Sequence, residues 1–174
     1  IGLDEGEDPD HFADAQWIWH PADSEPGTAR YFRRVVDIPS GCEISAARLT
    51  MGGKCRFTVS VNGDQIMDGA RAQFAPTCEV DVDQYLRPGS NAIAIAATRD
   101  GGEGPSGLIY ALSVDMESRE SIVVRSDAGW KTSEQLCEDW DRTGFDDSGW
   151  VPAKELGAND GSVFAKVLGN DNRR

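Results

Sequence analysis

Three groups of side chains in this 174-residue chain have types and spacings that could do chemistry. Asp146 and Asp147 are adjacent carboxylates. Arg99, Asp100 and Glu103 share a glycine-rich stretch, RDGGEGPSG, over 99–107. Trp140 stands alone between Glu138-Asp139 and Asp141-Arg142. Cleaving a glycosidic bond needs two carboxylates roughly 5–10 Å apart across that bond. Sequence neighbours point apart, so Asp146 and Asp147 read as turn-formers whose side chains order the backbone ahead of Trp150. Their alternative role is as ligands of a structural Ca2+, completed by backbone carbonyls; no other cofactor is indicated. The second group suits recognition. Binding residues favour loops on a rigid scaffold, and glycines let a ligand approach closely. Arg99, Asp100 and Glu103 would hydrogen-bond ligand hydroxyls there; a solvated connection is the bland alternative. Trp140, in its polar setting, is the candidate for an exposed ring that stacks on an apolar ligand face. Trp17, Trp19, Trp130 and Trp150 read instead as core or rim packing.

Other chemistries find no support. His11 and His20 have no Ser or Cys with an acid beside them to form a nucleophilic triad, and their spacing does not suit a transition metal. Cys42, Cys55, Cys78 and Cys137 form no CxxC pair, which argues against zinc. Their three pairings stay open. Gly101-Gly102-Glu103-Gly104 lacks the Lys of a phosphate-cradling loop. The chain has 30 acidic against 17 basic residues, a formal charge of −13. That balance disfavours nucleic acid, whose binding rests on Lys and Arg. No apolar run approaches the roughly 20 residues that span a bilayer. Residues 1–14 carry six acids and no Lys or Arg, and read as an acidic disordered leader ahead of one domain over 15–174. The start at Ile1, without Met or an apolar leader, reads as a processed or trimmed chain.

The elements that would position these residues are short strands. Lys54–Val61 alternates cleanly, with Cys55, Phe57, Val59 and Val61 on one face. Asn62-Gly63 follows as a tight hairpin turn, and Gln65–Met67 as the return strand. Residues 28–38, with Phe32, Val36 and Ile38 on one face, Ala46–Met51, Cys78–Val82, Leu108–Met116 and Ser121–Arg125 are further strands. Asn91–Thr98 is apolar on both faces, small alanines on one, as expected of a closely covered central strand. The 163–168 stretch supplies a last strand or docks loosely. Turns recur every 8–12 residues and no helical period stands out, which predicts an all-β antiparallel sandwich.

An ordered series of short stretches carries a family resemblance: A-Q-W-I-W (15–19), Y-F-R-R (31–34), V-N-G (61–63), V-D-x-x-L-x-P-G-x-N (82–91), W-K (130–131) and F-D-D-S-G-W (145–150). Together they resemble the galactose-binding-domain-like jelly roll. They are closer still to the N-terminal sandwich domains of bacterial α-L-rhamnosidases and the sugar-binding domain of family 2 glycosidases. The resemblance covers roughly residues 15–157. It implies a non-catalytic module that binds carbohydrate, sometimes with calcium nearby, or braces a neighbouring catalytic domain, in a secreted or periplasmic setting. A structural or protein-interaction module without a sugar site is the alternative, since a fold does not fix a function.

Overall fold

A computed structural model describes residues 14–22, 27–41, 43–53, 55–67, 77–99, 107–117 and 120–159. The expected leader (but for Asp14), the 163–168 stretch, and Asp100 and Glu103 lie outside them. The described chain is antiparallel β throughout, with one short 3-10 turn at Asp83–Tyr85.

Among the described residues twelve strands build two sheets. They are β1 Gln16–Trp19, β2 Ala29–Ile38, β3 Ile44–Gly53, β4 Cys55–Val61, β5 Asp64–Met67 and β6 Thr77–Asp81, then β7 Gly89–Arg99, β8 Leu108–Met116, β9 Ile122–Arg125, β10 Lys131–Ser133, β11 Val151–Pro152 and β12 Lys154–Ala158. The first sheet runs β12-β1-β8-β3-β6, with β9 also paired to β8. The second runs β11-β10-β2-β7-β4-β5. The expected jelly-roll-like sandwich is therefore present.

Side-chain alternation explains how the layers meet. Cys55, Phe57, Val59 and Val61 of β4 are buried, and the residues between them are exposed or half-buried. Phe32, Val36 and Ile38 of β2 join them in the core with Ile93, Ile95 and Ala97 of β7, and with Leu108, Tyr110, Leu112 and Val114 of β8. Aromatic pairs close this core. Trp19 meets Phe32 at 5.5 Å, and Tyr110 meets Trp130 edge-on at 4.5 Å. Trp17 packs separately with Ala15, Ile109, Ala111 and Leu156.

β7 is central in its sheet, between β2 and β4. Its alanine face is covered as the sequence suggests, with Ala92 and Ala94 buried. The V-N-G and P-G-x-N stretches interlock beside it. Asn62 donates from Nδ2 to Asn91 Oδ1 at 2.9 Å, and its Oδ1 accepts the Ala92 N–H at 2.8 Å. Asn91, fully buried, donates to the Arg87 and Gly89 carbonyls at 2.8 and 3.1 Å. Two motifs that are distant in sequence thus satisfy each other's polar groups.

Candidate functional site

The site grows from one charged residue in a buried place. On β2, Phe32 points into the core, so Tyr31, Arg33 and Val35 point to the outer face of the second sheet. Arg33 is nevertheless only 1% exposed. What covers it is the segment 134–150, a strap that leaves β10 at Ser133 and returns at β11. Successive turns shape this strap. Trp140 N donates to Cys137 O at 3.3 Å, Arg142 N to Asp139 O at 3.1 Å, Phe145 N to Arg142 O at 3.2 Å and Trp150 N to Asp147 O at 2.9 Å. Asp139 sits in the left-handed region at φ 62°, a conformation that Asp tolerates better than most residues.

Arg33 spends its guanidinium on this strap. Nε donates to the Trp140 carbonyl at 3.0 Å and Nη2 to the Arg142 carbonyl at 2.7 Å; Nη1 pairs with the Asp147 carboxylate. Its planar end also lies 5.3 Å from the Phe145 ring centre. Lys131 takes the other Asp147 oxygen at 3.1 Å. The strap reaches as far as the β4–β5 turn, where the Arg142 guanidinium rests on Gly63 so closely that a Cβ there would stand 2.7 Å from it.

Four aromatic rings gather on the strap and beside it. Trp140 meets Tyr31 edge-on at 5.3 Å and lies nearly parallel to Trp150 at 6.1 Å and 23°. Phe145 meets Trp150 edge-on at 5.7 Å. Trp140, Phe145 and Trp150 are all half-buried. Glu138 and Asp139 beside Trp140 are exposed.

The expected site residues separate. Asp146 forms the anticipated turn: its Oδ1 accepts the Ser148 N–H at 3.0 Å. That backbone bond, followed by one to the Ser148 side chain, holds the Asp146 carboxyl below the usual carboxylate range. Asp147 faces away, between Arg33 and Lys131, with both oxygens engaged by cations. The two neighbours therefore do not converge on one donor set. Among the described residues no group of three or more His, Cys, Asp or Glu gathers as metal ligands. Arg99 ends β7 opposite Cys55, half-buried, with its backbone N–H donating to Thr28 O at 3.2 Å. By the alternation of β7 it shares the core-facing side of Ile95 and Ala97, whereas Trp140 packs on the outer side through Tyr31. The structure thus puts Arg99 and Trp140 on opposite faces of one sheet. Asp100 and Glu103 lie outside the described residues.

Sequence reasoning passed over Arg33. Its one signal was an Arg at an outward position of a long strand, within Y-F-R-R. A smaller polar group sits near the start of the strap. His20 is buried at the end of β1; its Nδ1 accepts the Ala22 N–H at 3.0 Å and its Nε2 stands 4.0 Å from Glu134. Burial first, and Arg30 second, push its pKa below the ordinary value. Among the described residues no Asp or Glu is buried.

No family model matches the chain. Over 162 residues, 88% of its length, it is 33% identical to an α-L-rhamnosidase of Streptomyces avermitilis, of which it spans 15%. A solved structure of Streptomyces avermitilis α-L-rhamnosidase complexed with L-rhamnose matches 92% of the chain at a TM-score of 0.77 and 30% identity, over 16% of that enzyme. A lectin from Pleurotus ostreatus in complex with GalNAc matches 91% of the chain at a TM-score of 0.76 and 27% identity, over 48% of the lectin. A GH78 family rhamnosidase of Bacillus sp. GL1 matches 85% at 0.68 and 25% identity, over 19% of its chain.

Proposed function

We propose that this galactose-binding-like sandwich, which resembles the accessory domains of α-L-rhamnosidases, is a non-catalytic carbohydrate-binding or accessory module. One observation carries the reading. Nine-tenths of the chain corresponds to a small part of a rhamnosidase and to about half of a lectin. Those relatives are seen with L-rhamnose and with GalNAc, so hexoses of this kind are the ligand class to try first. Recognition would use Trp140 on the strap and, as a separate set, Arg99 with Asp100 and Glu103. Its setting would be extracytoplasmic, beside a catalytic domain or on a free glycan.

Calorimetry tests this directly. The chain is titrated with L-rhamnose, galactose and GalNAc, with calcium and with chelator, and incubated with a chromogenic rhamnoside. Saturable heat without turnover is expected, and its loss in chelator would assign a calcium. Turnover would make the chain an enzyme. A second reading, a protein-interaction module, draws on Leu136, which the strap leaves 66% exposed. Silence toward every glycan would favour it.

A further inference from the structure

We infer that the 134–150 strap is a saccharide platform centred on Trp140, and that Arg33 is the residue that positions it. The inference rests on the carbohydrate reading above and assigns it a place and a ligand class. A buried guanidinium is a costly way to cover a sheet; an apolar side chain of similar volume often does so at no loss of stability. What the guanidinium adds is direction, because its donors leave a rigid plane. Here they reach the Trp140 carbonyl, the Arg142 carbonyl and the Asp147 carboxylate. The first of these bonds fixes the very residue that carries the half-exposed indole. Tyr31, edge-on, and Trp150, stacked nearly parallel over one face, then hold the ring, which leaves the sugar the face turned away from Trp150. A ring fixed before a ligand arrives loses little freedom on binding, which favours affinity.

The polar rim selects the ligand. Of the three nearby cations, Arg33 and Lys131 pair with Asp147, and Arg142 stands 3.9 Å from Asp141. Glu138 and Asp139 remain exposed beside the ring. Such a rim accepts hydrogen bonds from hydroxyls and repels carboxylates. An apolar ring face bordered by acceptors matches a neutral sugar, which offers C–H on one side and O–H around its edge. A uronic acid would be refused.

The test compares binding of L-rhamnose, galactose, GalNAc and galacturonic acid to the native chain, Trp140→Ala, Arg33→Lys and Asp147→Asn. Trp140→Ala is expected to weaken neutral-sugar binding at least roughly tenfold with the fold retained. Arg33→Lys keeps the charge and loses the fork. It should weaken binding roughly tenfold in the folded protein and make Trp140 easier to quench with acrylamide. Where Arg33→Lys does not fold, Asp147→Asn loosens the same clamp from the strap side. Native-like affinity in folded Arg33→Lys, or in Asp147→Asn where only that variant folds, with binding lost in Trp140→Ala, overturns the positioning role alone. Unchanged binding in Trp140→Ala overturns the platform. Equal affinity for galacturonic acid overturns the ligand class. A native chain that binds no sugar at all sinks the carbohydrate reading and this inference together.

Discussion

His20 shows how a single residue can tie stability to acidity. Its imidazole is buried and faces Arg30, while Glu134 opposes them more weakly from 4.0 Å. Its pKa in the folded chain is therefore depressed from 6.5. Between that value and the folded one, the unfolded chain binds more protons, so stability rises with pH across the window. The melting temperature is expected to fall as pH drops from 7 through 6.5 and below, and His20→Asn should flatten that fall while keeping an acceptor for the Ala22 N–H. A thermal-melt series across this range checks it. At Gly63 the backbone has φ of +90°, and the Arg142 guanidinium occupies the space of a Cβ. Gly63→Ala should cost about 1–3 kcal/mol in denaturant unfolding. Adding Arg142→Ala should return the part due to collision and leave the part due to strain. The local chemistry was legible in the sequence. Asn62-Gly63 announces a turn, and an Asp two residues before Ser148 announces its cap. The Arg33–Asp147 pair was not, because a separation of 114 residues leaves no periodic trace.

At the scale of elements, legibility followed burial on one face. β4 alternates and was found with the inward residues expected; β8 sends Leu108, Tyr110, Leu112 and Val114 into the main core as expected, and buries Ile109 and Ala111 on its other face as well. β10 and β11 are three and two residues long; β10 exists because β2 offers it an edge, and β11 because β10 does. β1 is buried nearly throughout, so it carries no alternation to read. β12 has no fully buried residue and, among the described residues, pairs with β1 alone. Tertiary pairing, rather than propensity, makes these strands. β7 is the element on which the strap depends. Ala94 lies opposite Arg33 across the ladder and is buried on the strap side. A larger side chain there would lift the strap. Ala94→Leu is expected to destabilise the fold by about 1–3 kcal/mol in urea unfolding and to raise the accessibility of Trp140 to quenchers.

At the scale of the molecule, charge matters more than any one contact. A net charge of −13 on 174 residues makes the folded body repel itself. Raising sodium chloride from about 20 to 200 mM shortens the screening length from roughly 20 to 7 Å. The melting temperature should therefore climb over that range. A flat or falling response would mean that ion pairs such as Asp147 with Arg33 and Lys131 outweigh the repulsion.

The pairing of β1 with β12 has a consequence for architecture. Gln16 and Ala158 are ladder partners, so the first and last strands among the described residues lie side by side, about 5 Å apart. A polypeptide that entered at one and left at the other would do so through a single doorway. Such a body can be spliced into a host sequence like a bead on a short stalk, hardly disturbing the distance between the host residues on either side. The same geometry would let one sandwich turn up both as a fraction of a long enzyme and as half of a small lectin.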